Sequence, residues 1–194
     1  MNPVIESILT RRSIRRYKDQ QIEDADLKII LEAAKYAPSG GNSQTWHFTV
    51  LQNKEHLLQL NGYIRSGFEK LEIGENTYRS IRAAKTASKN DSYNFYYNAP
   101  TLIIVSNEAD YANAMADSAC ALENIFLAAN SLNLGSCWIN QVRWLDHDQG
   151  VRSFLIGLGM PANHQVCGSA CLGYRDGEMP VALHRKENTV TIIK

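Results

Sequence analysis

Residues 111–132 are dominated by Ala, Leu, Asn, Met and Ile, and no other stretch limits the fold so strongly. Ala116, Ala119, Cys120, Ala121, Ile125, Ala128 and Ala129 place small or apolar groups around most of a helix. A helix with so little polar circumference must be covered, by its own chain's core or by a second subunit. Its short side chains suit close packing of two backbones.

The remaining pattern builds around that helix. Asn2 is a good N-cap and Pro3 fits the first helical position, so Val4, Ile5, Ile8 and Leu9 form one apolar face of a short helix. Asp24 opens a second helix, with Leu27, Ile30, Leu31 and Ala34 at helical spacing and Pro38 closing it. Residues 46–51 read as a strand. Residues 54–60 suit a brief helix, and the polar stretch 61–98, with its scattered tyrosines, suits helices and a covering loop. After Pro100, the run Thr101-Leu102-Ile103-Ile104-Val105 fits a central strand buried on both faces. A short strand at 136–139, a helix from Asp146, a strand at 165–174 and a strand-like end at 189–193 complete the pattern. The expected class is α+β in a single domain spanning 1–194, with a mixed or antiparallel sheet flanked by helices.

Lys and Arg balance Asp and Glu to a formal net charge of +0, so no global field draws nucleic acid or anionic lipid. No apolar run approaches membrane-spanning length. The first residues lack the basic and apolar regions of a secretory signal. Cys120, Cys137, Cys167 and Cys171 form no CxxC pair, which fits reduced thiols of a cytoplasmic protein rather than a metal site. Even spacing would put Cys167 and Cys171 on one strand face.

Against this neutral background, five of the eight residues from 11 to 18 are basic. Arginines 11, 12 and 15 with the Ser13 hydroxyl offer planar bidentate donors and a further hydrogen bond, the chemistry that holds a phosphate. Pro38-Ser39-Gly40-Gly41-Asn42-Ser43-Gln44 combines glycines that admit a flat ligand with the amides of Asn42 and Gln44, which both donate and accept. The same composition also makes an ordinary turn. Leu134-Gly135-Ser136-Cys137-Trp138-Ile139-Asn140 ends the long helix with a Trp that can pack on a ring or in the core. Arg185 and Lys186 lie near the C-terminus. His47 is either a packed strand residue or an acid.

Taken in this order, these motifs resemble the nitroreductase family of flavoproteins over nearly the whole chain, with residues 61–98 least alike. The resemblance implies a nitroreductase-like fold, a tightly held FMN and a domain-swapped type of homodimer with flavin at the subunit interface. It implies that Arg11 and Ser13 hold the phosphate with Arg12 beside them, that Arg15 reaches the pyrimidine edge, and that Arg185 closes on the phosphate. Pro38, Ser39, Gly40, Asn42 and Gln44 would approach from the partner chain, and the backbone of Trp138, Ile139 and Asn140 would lie beside the isoalloxazine. Asn140-Gln141 stands where some relatives carry an acidic residue and a glycine. The implied activity passes hydride from NAD(P)H through flavin to a nitroaromatic, a quinone or an activated alkene, in a ping-pong cycle with no catalytic side chain named. Reductive dehalogenation, flavin fragmentation and a non-enzymatic flavin sensor are the alternatives within the resemblance.

Overall fold

The computed structural model describes residues 2–187 and 189–194. Its centre is a four-stranded sheet in the order β1-β2-β4-β3, formed by β1 (His47–Leu51), β2 (Thr101–Glu108), β3 (Gly135–Ile139) and β4 (His164–Gly173). Every neighbouring pair is antiparallel. β2 is buried from Thr101 to Asn107, as its unbroken apolar run requires.

Two helical layers cover the sheet. On one face lie α2 (Asp24–Lys35) and α5 (Ala114–Ser131), joined to the sheet through Ile30, Ile103, Val105, Leu122, Ile125 and Leu172. On the other lie α3 (Lys54–Lys70), α4 (Arg79–Ala87), α6 (Gln141–Trp144) and α7 (Gln149–Gly157), around Leu60, Ile64, Phe68, Ile104, Val142 and Leu155. α1 (Pro3–Thr10) packs only lightly, against α5. Its capping is as read from sequence, with Asn2 accepting the Val4 N–H at 2.9 Å. The apolar face of Val4, Ile5, Ile8 and Leu9 stays exposed.

The apolar helix answers its own question in part. The inner side of α5 is buried on the sheet, while Met115, Ala116 and Cys120 form an exposed outer stripe.

Several boundaries depart from the sequence reading. α3 runs on to Lys70 because Leu57, Leu60, Ile64 and Phe68 keep helical spacing and are all buried. Asp146 does not open a helix. It is buried, accepts from Arg152 at 3.3 Å and from the Val166 N–H at 3.2 Å, and leaves the capping of α7 to Asp148. Residues 189–193 form no strand and lie exposed.

Cys167 has no cross-strand partner, since Val105 faces Gly168 and Ser106 faces Val166. This bulge reverses the strand's parity, so Val166 and Cys171, five apart, share one core. The even spacing of Cys167 and Cys171 therefore does not place them together.

Candidate functional site

Beyond β3, the chain's N-terminal segment extends the sheet. Ser13 pairs with Ser136 and Tyr17 with Arg175, through Ile14 N–H to Ser136 O and Lys18 N–H to Tyr174 O, both 2.9 Å. This docking demands a glycine at 135, where a Cβ would meet Ile14 Cγ2 at 2.9 Å. The pairing fixes the backbone and leaves the polar side chains of 11, 13 and 15 to gather beside one point.

That point is the Cys137 thiol. Burial pushes its pKa up, while Arg15, the Ser13 hydroxyl and Arg11 each pull it down. Ser13 is paired with Ser136, the neighbour of Cys137 in β3, and shares a small pocket with Arg15. Arg15 lies over the Tyr97 ring at 5.9 Å. Cys137 and Tyr97 beside it raise its pKa, against the desolvation that lowers it. Arg12 turns the other way. Its guanidinium donates to the carbonyls of Leu9 (2.8 Å) and Arg11 (2.7 Å), at the end of α1.

Arg15 opens onto a cleft of about 570 Å³, within the range of small-molecule sites. Trp138, Ile139 and Asn140 form one side, with Gln141 next to them. The Trp138 indole donates to Asn140 Oδ1 at 2.8 Å and packs against Phe126, and Gln141 Oε1 accepts the Asn140 N–H at 3.1 Å. The opposite wall is α4, where Ser80, Ala83 and Ala87 present a smooth surface. Tyr93, Tyr97 and Trp144 supply aromatic edges. Arg15 is the one charged residue in this lining. The Tyr93 hydroxyl is buried near the Gln141 amide, and burial pushes its pKa up to about 12 against the pull of Gln141.

Loop 38–44 lies elsewhere. Gly40–Asn42 is a single 3₁₀ turn held against the start of α5, and Gln44 borders a different groove of about 710 Å³ between α2 and β1. Within one chain the structure does not bring Pro38, Ser39, Gly40, Asn42 or Gln44 to the Arg15 cleft. His47 lines that second groove and lies edge-on to His164, with ring centroids 6.3 Å apart. Arg185 sits in the exposed tail, outside both clefts.

Sequence reasoning overlooked Arg175, which borders both Arg12 and Ser13 and follows directly on Gly173-Tyr174. It also overlooked Tyr111 and Asp117, which hold the glycine loop.

Fold and cleft define a class first: an α+β protein with a ligand-sized cleft walled by a guanidinium, amides and aromatic rings. The family model described as the nitroreductase family matches residues 8–174. The chain belongs to that family. A crystal structure of a nitroreductase with bound FMN from Bacteroides fragilis NCTC 9343 superposes with a TM-score of 0.90 at 44% identity, covering 100% of both chains. An FMN-bound nitroreductase from Desulfitobacterium hafniense DCB-2 gives 0.83 at 26% identity, again over 100% of both. A relative from Archaeoglobus fulgidus, which carries a provisional NADH dehydrogenase/NAD(P)H nitroreductase name, is 33% identical over 178 residues, 92% of this chain and 88% of its own length.

Proposed function

We propose that this chain is an FMN-dependent oxidoreductase. In this reading it passes reducing equivalents from NAD(P)H to an electron-poor acceptor such as a nitroaromatic, a quinone or an activated alkene. The observation that carries the reading is the cleft lined by Arg15, Trp138, Ile139 and Asn140, with Ser13 and Arg15 together lining an adjoining pocket.

The residues present fit the cofactor chemically. Arg11 and Ser13 offer donors to a dianionic phosphate, and Arg185 adds a second cationic group if the tail crosses to close on it. Arg15 places positive charge next to the ring, which favours the reduced, more negative state. When bound, FMN supplies the hydride-accepting ring. The hydride chemistry then requires no general acid of the chain, and donor and acceptor would use the same space in turn.

The working unit is a homodimer. α1 exposes Val4 at 64% and Leu9 at 55%, and the tail exposes Val181 at 89% and Ile193 at 93%. Exposed apolar side chains on two segments of the chain suit an interface. The free edge of β1 beside the 710 Å³ groove has room for the partner's tail residues 189–193. In the same assembly Pro38, Ser39, Gly40, Asn42 and Gln44 serve the neighbouring chain's cofactor. A nicotinamide donor and four unpaired thiols support a cytoplasmic setting. Among the described residues no helix is long and apolar enough to cross a membrane.

The test is spectroscopic. The purified protein is expected to be yellow, to bleach with NADH or NADPH without oxygen, and to regain colour with nitrofurazone or menadione. Colourless protein that ignores added FMN overturns the proposal. Flavin reduced by dithionite but by neither nicotinamide identifies a sensor instead.

A further inference from the structure

Loop 38–44 holds a shape it would not keep alone. Gly41, Asn42 and Gln44 all have left-handed backbone, with φ of 60°, 57° and 51°. Two of the three carry a Cβ, and such residues persist in this region only where their surroundings over-determine them.

The support comes from the start of α5 and the turn before it. Asp117, 6% exposed, accepts the Gly40 N–H at 3.1 Å and the Tyr111 hydroxyl at 2.9 Å, both on Oδ2. The Tyr111 hydroxyl also lies 3.1 Å from Gly40 O and takes a hydrogen bond from Ser43 Oγ at 3.1 Å. Its single proton goes to the carboxylate, the nearer and charged acceptor. Among the described residues no cation pairs with Asp117. It lies in the first turn of α5, where unsatisfied N–H groups favour a negative charge. A Cβ at Gly40 would collide with Asn113 Nδ2 and approach Tyr111 Oη to 2.7 Å, so both side-chain ends would have to shift.

Resting on the FMN reading above, we infer that Asp117 and Tyr111 are positioning residues that fix loop 38–44 for the cofactor of a second copy of the chain. Neither touches the reacting atoms. Both lie outside the cleft in their own subunit, and their effect appears only at the neighbour's site.

Three variants test this in the intact dimer: Tyr111→Phe, Asp117→Ala and Asp117→Asn, each stripped and titrated with FMN by flavin fluorescence. Tyr111→Phe and Asp117→Ala are expected to weaken FMN about tenfold. Asp117→Asn keeps an acceptor for the Gly40 N–H and is expected to recover most of that loss. Hybrid dimers separate positioning from mere stability. Pairing an Arg11→Ala chain with a Tyr111→Phe chain puts both lesions in one site and leaves the other intact. Half the wild-type number of tight FMN sites is therefore expected. A hybrid with no tight site overturns the inference, as does FMN affinity within twofold of wild type in both Tyr111→Phe and Asp117→Ala. Wild-type protein that binds no FMN fails at the first titration, which marks failure of the functional reading itself.

Discussion

Two segments are assigned to the cofactor, and they are held by different forces. Residues 13–18 are fixed through backbone, by Ile14 on Ser136 and Lys18 on Tyr174. Loop 38–44 is fixed mainly through side chains, by Asp117 and Tyr111 on Gly40. Backbone pairing tolerates changes in the side chains it carries, so residues 11, 13 and 15 stay available for a ligand. A side-chain clasp concentrates the loop's geometry in a few atoms. Substitution in the first segment should remove one ligand contact at a time, whereas substitution around the second should displace several together.

The largest effect is expected from Arg11→Ala and Arg185→Ala. Loss of a charge-assisted bond to phosphate should cost about 1.5–3 kcal/mol, roughly ten- to a hundredfold in FMN affinity by titration. Unchanged affinity in both breaks the phosphate assignment. Gly40→Ala sharpens the contrast from the other side. Its Cβ would push against the Tyr111 hydroxyl that clasps the loop, and the displacement should weaken FMN about tenfold although no ligand-contacting side chain is lost.

A smaller effect, of another kind, is expected from Arg12→Ala. This guanidinium holds carbonyls at the end of α1, so its loss should lower thermal stability by about 1 kcal/mol and leave FMN affinity nearly unchanged. An affinity loss equal to that of Arg11→Ala would place Arg12 on the phosphate after all.

The least effect belongs to His164, remote from the arginine cleft, which serves as a control. Burial first, and then the charge of His47, hold its pKa below the ordinary 6.5. The unfolded chain therefore binds a proton that the folded chain refuses, and stability should fall as pH drops from 6.5 toward the folded value. His164→Gln should flatten that slope in melting curves without altering FMN titrations.

How much of this was legible in the chain depends on distance along it. β2 announced itself because its burial is continuous and local. The Asn2 cap and the arginine cluster were likewise readable, since each is a run of neighbours. α3 was read too short because Asn61, Gly62 and Arg65 dilute its apolar spacing, which only tertiary burial makes decisive. The bulge at Cys167 depends on the register of β2 and has no local mark. The Gly40–Asp117 clasp joins residues 77 positions apart, and no periodicity links them. Asp146 looked like a cap because Asp favours helix starts, yet its carboxylate is used by Arg152 and Val166.

Gly168 carries a consequence for where the Trp138 indole lies. A methyl group at that position would come within 2.9 Å of Trp138 Cζ2 and 2.7 Å of Leu122 Cδ1. The leucine can rotate aside, but the rigid indole would have to tilt outward. One absent carbon on the neighbouring strand thus leaves the indole its seat against Phe126, on the side of the sheet that α5 covers.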